Sequence, residues 1–128
     1  MTLSKKEVES VLKLSPFERY QYFIKKVADY EELWTIVDDK NELALSEIDN
    51  NQMISLWSAS EYIQSNLGDG WENCRSLKLD LDSFEQDIMP VIIENEYLLN
   101  VFSVNNKSGF VVSISEFIRD LNEELNNY

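Results

Sequence analysis

The sequence predicts an α+β domain, with a mostly antiparallel sheet of about five or six strands and helices packed on it, in the order ααβββαβαββα. Three observations lead there. Five Ser/Asp-x-x-Glu signals each open a stretch with apolar residues at helical spacing. Runs of β-branched, aliphatic and aromatic residues stand between those stretches. Several of these runs are separated only by short polar segments, which pairs them as hairpins. With 128 residues the chain is the size of one domain, read here as residues 1–128.

The helices follow from their start signals. A capping box sets Ser, Thr or Asp at the N-cap and Glu three residues on, satisfying two backbone N–H groups reciprocally. Ser4/Glu7, Ser15/Glu18, Ser58/Glu61, Asp82/Glu85 and Ser113/Glu116 fit it. The first predicts a short helix over 5–13 with Val8, Val11 and Leu12 inward. The second, with Pro16 at its first position, opens a helix over 16–31 whose core face is Phe17, Tyr20, Ile24, Val27 and Ala28. A third helix over 59–67 carries Tyr62, Ile63 and Leu67 and stops at Gly68. The fourth, over 83–95, sets Phe84, Ile88, Val91 and Ile92 inward and should kink or break at Pro90. The last, over 114–126, aligns Ile114, Phe117, Ile118, Leu121 and Leu125.

Strands are expected at 33–37, 43–45, 53–57, 76–79, 97–104 and 110–112. The loop 105–109 between the last two ends in Gly109, expected there for a positive φ.

Charge is the dominant compositional signal. The chain has 24 acidic and 11 basic residues, no histidine, and a net charge of -13. The charge is unevenly placed. Residues 1–28 hold six basic and three acidic groups, whereas the remainder holds five basic and 21 acidic. Non-specific binding to a phosphate backbone is disfavoured by this excess, so no nucleic-acid partner is expected. Without histidine, the commonest general base and metal ligand are both missing. One cysteine, Cys74, speaks against zinc and against an internal disulfide, and favours a reducing, cytoplasmic setting. No glycine-rich phosphate loop occurs, and no apolar run reaches the ~18 residues of a membrane span. The start of the chain lacks the apolar segment of a signal peptide. The pair Asp80-x-Asp82 opens like a calcium loop but lacks its later glycine and glutamate, and is read as helix capping. Catalytic residues, metal and cofactor are all expected to be none.

Two groups of residues stand out as partner-binding candidates. On the outer side of the 16–31 helix, Arg19, Tyr22 and Lys26 place a tyrosine between two cations. The bland alternative is an ordinary solvated face, with the tyrosine on lysine stems. In the segment Trp57-Ser-Ala-Ser-Glu-Tyr62, a strand ends in Trp57 and a helix carrying Tyr62 begins, with Trp71 shortly after. Such aromatics line a groove or, more often, seal the end of a core.

Residues 14–29, read Leu-Ser-Pro-Phe-Glu-Arg-Tyr-Gln-Tyr-Phe-Ile-Lys-Lys-Val-Ala-Asp, followed by Glu32 and Trp34, resemble the opening motif of a bacterial family, domain of unknown function 2750. Ala44-Leu-Ser46, Trp57-x-x-x-Glu-Tyr62, Trp71 and Leu79-x-x-x-x-Phe84 are spaced as in that family. Its members more often carry Pro where Ser58 stands. The resemblance implies a small bacterial cytosolic protein and transfers no catalytic residue. It places Arg19, Tyr22 and Lys26 inside the most specific motif, and it raises a competing reading in which Arg19 is buried against an acidic group of the sheet.

The expected function is a small acidic, cytosolic, non-catalytic protein-binding module with a basic protein partner, of which neutralising a basic toxin is one concrete form. The alternative is a small-molecule or enzymatic domain using carboxylates and aromatics near Trp57, Tyr62 and Trp71. A weaker third idea is a nucleic-acid mimic. Oligomeric state is left open.

Overall fold

Local capping chemistry sets where most helices begin. In the computed structural model, which describes residues 3–64, 73–104 and 107–127, helix α1 spans Lys5–Leu12 and α2 spans Pro16–Tyr30. Ser15 and Ser113 form complete capping boxes with Glu18 and Glu116, opening α2 and the final helix α6, Ile114–Leu125. Ser4 caps α1, but the Glu7 side chain does not return to it. The other two expected boxes are corrected. Helix α3, Ser60–Gln64, starts without the Ser58/Glu61 exchange, and Glu61 accepts from the Leu3 amide instead, at 3.0 Å. The helical stretch that begins at Leu81 is capped by Asp80, not Asp82: its carboxylate accepts from Ser83 N at 2.7 Å.

That stretch runs through α4 (Leu81–Ser83), a π-helical turn (Phe84–Ile88) and α5 (Met89–Asn95). The expected disturbance at Pro90 takes the form of this widened turn, in which Met89 N bonds back to Phe84 O. Proline has no N–H for the carbonyl one turn earlier and its ring crowds it, so the helix widens just ahead of it. Val91 is exposed rather than inward, while Ile92 is buried.

Six strands are present among the described residues, in two sheets. β1 (Glu32–Val37) pairs antiparallel with β4 (Arg75–Asp80). The other sheet has the order β2-β3-β5-β6, from Leu45–Ile48, Asn51–Leu56, Leu98–Val101 and Phe110–Val112. β3 and β5 run parallel and the other pairs antiparallel. The strand expected at 43–45 starts at Leu45 and runs on to Ile48, with Leu43 only bridged to Val37. Asp49 and Asn50 both take positive φ, 52° and 67°, making the two-residue hairpin turn whose twist suits antiparallel strands. The two sheets meet where β3 ends. Leu56 O accepts from Phe102 N, while Trp57 and Trp34 exchange backbone hydrogen bonds at 2.8 and 2.9 Å.

α2 packs on β5 and β6 of the four-stranded sheet, and α6 packs on α2 and α5. Phe23 and Phe117 lie 5.9 Å apart at their centroids, and the Tyr20 hydroxyl donates to Asp120 at 2.6 Å. The buried stripe of α2 comprises Arg19, Tyr20, Phe23, Ile24, Val27 and Ala28. Phe17, expected in the core, is 51% exposed: it sits in the first turn, at the rim, with one side against Phe110. Gly109 is required for a different reason than expected. Its φ lies outside the left-handed region, but a Cβ there would overlap the carbonyl of Val101, so only glycine lets β5 and β6 approach. The helix stop at Gly68 and the loop residues 105 and 106 lie outside the described residues. No helix among the described residues is long and apolar enough to cross a membrane.

Candidate functional site

The sequence places Tyr22 and Tyr62 forty positions apart, and the fold brings their hydroxyls to 2.9 Å. Tyr22 comes from the middle of α2, Tyr62 from α3, and Glu7 from α1. The Tyr22 hydroxyl donates to Glu7 Oε2 at 2.6 Å. A carboxylate only accepts, so the single Tyr22 proton is committed to Glu7 and Tyr62 donates to Tyr22. Lys26 Nζ lies 3.8 Å from the same Glu7 oxygen and 5.5 and 5.6 Å from the ring centroids of Tyr22 and Tyr30. The relay Tyr62, Tyr22, Glu7, Lys26 therefore ties three helices together at one point.

Above it opens a cleft of about 310 Å³, lined by Leu3, Tyr22, Lys26, Tyr30, Glu32, Trp34, residues 58–61 and Lys78. Lys78 and Glu32 form an ion pair on its wall at 3.6 Å. The Ser58 hydroxyl, also in the wall, is buried and makes no hydrogen bond among the described residues.

The candidate residues part company in this geometry. Tyr22 and Lys26 meet Tyr62 and the 58–61 segment, so the two groups read separately in the sequence belong to one site. Arg19 does not face outward as its helical position suggested. It is 6% exposed, with Nε donating to Phe102 O at 3.1 Å and Nη1 donating to Leu14 O. Its partners are carbonyls, not the acidic group of the competing reading. Burial pulls its pKa below the usual arginine value. Trp57 is buried, with Nε1 donating to Ser103 O at 3.1 Å, and it closes the seam between the sheets. Tyr62 is buried against Phe102, centroid to centroid 4.6 Å. Trp71 lies outside the described residues. Tyr30, Trp34 and Lys78 were missed as members of this site. Trp34 and Lys78 share a register position across β1 and β4, a pairing that sequence alone does not specify.

The tyrosines here offer hydrogen-bond donation and stacking, and Lys26, Lys78, Glu7 and Glu32 offer charge. Burial is the main cause that raises the pKa values of Tyr22, Tyr62 and Tyr20, with the Glu7 and Asp120 hydrogen bonds adding to it for Tyr22 and Tyr20. These phenols stay protonated throughout the neutral range. A phenol whose folded pKa exceeds its unfolded value near 10 contributes stability that is present below about pH 10 and lost as pH rises towards the folded value. On the acid side, backbone N–H donors hold Glu18 and Asp80 below the usual carboxylate range. Their contribution is present above about pH 4 and lost as pH falls through the lowered values. Stability is therefore expected to decline at both ends. Difference absorbance should hold back three phenolates until circular dichroism reports unfolding. All tyrosines ionised by about pH 11 with the fold intact would contradict the buried relay.

Comparison with known proteins agrees with the sequence resemblance. The family model described as protein of unknown function (DUF2750) matches residues 20–121. No curated protein and no solved structure matches the chain. The match spans the relay residues Tyr22, Lys26 and Tyr62 and starts one residue after Arg19, and covering most of the chain it shows that the protein belongs to the DUF2750 family.

Proposed function

We propose that the protein is a small acidic, non-catalytic protein-binding module whose partner is basic, in a cytosolic setting. One observation carries this reading. Among the described residues the salt bridges engage only Glu7, Glu32 and Asp120, so most carboxylates project into water without a cationic neighbour. Such a field lowers the compact state's own stability through self-repulsion, yet it steers a basic partner and speeds its association. Neutralisation of a basic toxin is one form such binding takes.

The test is affinity capture from a host lysate at about 50 mM and about 200 mM salt, beside an unrelated acidic domain of equal net charge. A basic protein retained only by this chain, and released as salt rises, is the expected result. Identical captures by both baits at low salt would sink the reading.

A second reading, binding of a small aromatic molecule in the cleft, has in its favour the Ser58 hydroxyl, unpartnered among the described residues, in one wall with Trp34 and Tyr22. It requires quenching of tryptophan fluorescence by some member of a nucleoside and aromatic-acid panel, weakened in Ser58→Ala. An unchanged spectrum across the panel would eliminate it.

A further inference from the structure

Away from the relay, α5 and the start of α6 border an open groove of about 570 Å³. Its walls are Met89, Ile92, Ile93, Tyr97, Ile114 and Ile118, and most of its surface is carbon. Ile93 is 58% exposed and Val91 is exposed beside it on α5. A helix that leaves two β-branched residues in water, next to a groove, has an unfinished apolar face.

The one charged residue in the lining is acidic, and the chain segment that supplies α5 carries charge of one sign. Residues 79–106, which supply α4, α5 and β5, hold Asp80, Asp82, Glu85, Asp87, Glu94 and Glu96 and not one lysine or arginine. Glu96 lines the groove itself, at the C-terminal end of α5, where the helix dipole also favours a cation. At the opposite wall the positive end of α6 is already satisfied by the Ser113/Glu116 capping box.

Resting on the binding reading above, we infer that this groove is the docking surface and that its occupant is a basic amphipathic helix of the partner. Apolar side chains at i, i+3, i+4 and i+7 fit between two helical walls, and lysines or arginines on the flanks meet the acidic rim. A second copy of this chain is disfavoured, because it would bring an equal acidic rim and a net charge of -13 against the first.

The experiment uses a fluorescent Leu/Lys peptide of about 15 residues with its leucines on one helical stripe, and a scrambled peptide of the same composition. The full chain is titrated against both by anisotropy at about 50 mM salt. The striped peptide should bind at least about tenfold tighter than the scrambled one. Ile93→Lys, at a solvent-exposed position, should erase that preference. Glu123→Lys, outside the groove, should weaken both peptides alike and keep it. Equal binding of both peptides by the wild-type chain, salt-sensitive and unaffected by groove choice, would overturn the groove while leaving the basic-partner reading standing. No binding of either peptide would overturn both. A concentration-dependent dimer in sedimentation, lost in Ile93→Lys, would also overturn the inference by assigning the groove to self-association.

Discussion

Phe102→Ala is expected to cost about 4 kcal/mol of folding stability, the largest effect of any single replacement proposed for this chain. Phe102 is fully buried, tilted against Tyr62 at 4.6 Å and edge-on to Tyr22 at 6.1 Å. Its backbone is equally committed: N donates to Leu56 O at 2.8 Å, and O accepts from Arg19. Removing the ring leaves a cavity under the relay that the surrounding strands are too constrained to fill. Phe102 also holds a φ of 66°, which an aromatic residue adopts only when its surroundings compel it. Alanine keeps that strain, whereas glycine relieves it. Phe102→Gly is therefore expected to be about 1 kcal/mol more stable than Phe102→Ala, the reverse of their usual order in regular structure. Urea denaturation of the three proteins decides it. A loss below about 1 kcal/mol for Phe102→Ala would show that the ring does not hold this junction.

Arg19→Met is expected to cost about 3 kcal/mol. Methionine matches the arginine stem in length and apolar contact, so the loss isolates the guanidinium. Two carbonyls, Leu14 O before α2 and Phe102 O after β5, would lose their donor in a place that water reaches poorly. Arg19→Lys should recover only part of the loss, because an ammonium lacks the planar fork that reaches both carbonyls. Since Arg19 and Phe102 share one hydrogen bond, the double replacement should fall short of additive by at least about 0.5 kcal/mol. Strict additivity, or a wild-type midpoint for Arg19→Met, would mean that the guanidinium is a passenger.

These two residues also show how much of the molecule was legible beforehand. Helix starts at Ser4, Ser15 and Ser113 were readable because a cap is a contact between residues three apart. The π-helical turn was readable as a disturbance at Pro90 but not as a type, since the widening depends on how Phe84 and Ile92 are both kept in the core. Ser58 looked like a cap and is none, because α3 begins only at Ser60 and the Glu61 carboxylate is turned to the Leu3 amide. The face of α2 was misread at both edges. A helical wheel weighs each residue by polarity, and so it put Phe17 inside and Arg19 outside. The neighbours decide otherwise: Phe17 meets only the edge strand, at Phe110, and keeps its other side in water, while two backbone carbonyls wait opposite Arg19.

The candidate site was legible as ingredients. Tyr22, Lys26 and Tyr62 could be picked out as residue types, and the family match agrees with the motif that contains the first two. Their meeting could not be read, since a 2.9 Å contact over forty positions depends on where α3 lands after three strands. The apolar groove was hidden for a related reason. Val91 was read as core because its helix is apolar, and only the arrangement of α5 against α6 shows which of residues 91–93 is covered.

By itself, then, the sequence determined the α+β class, the helix starts bound by local hydrogen bonds, and the acidic field, since each depends on composition or on neighbours within one turn. The tertiary structure decided what α2 buries, where the tyrosines meet, and which apolar surface is left open. Those outcomes depend on contacts between distant segments, whose partners exist only once the chain has folded.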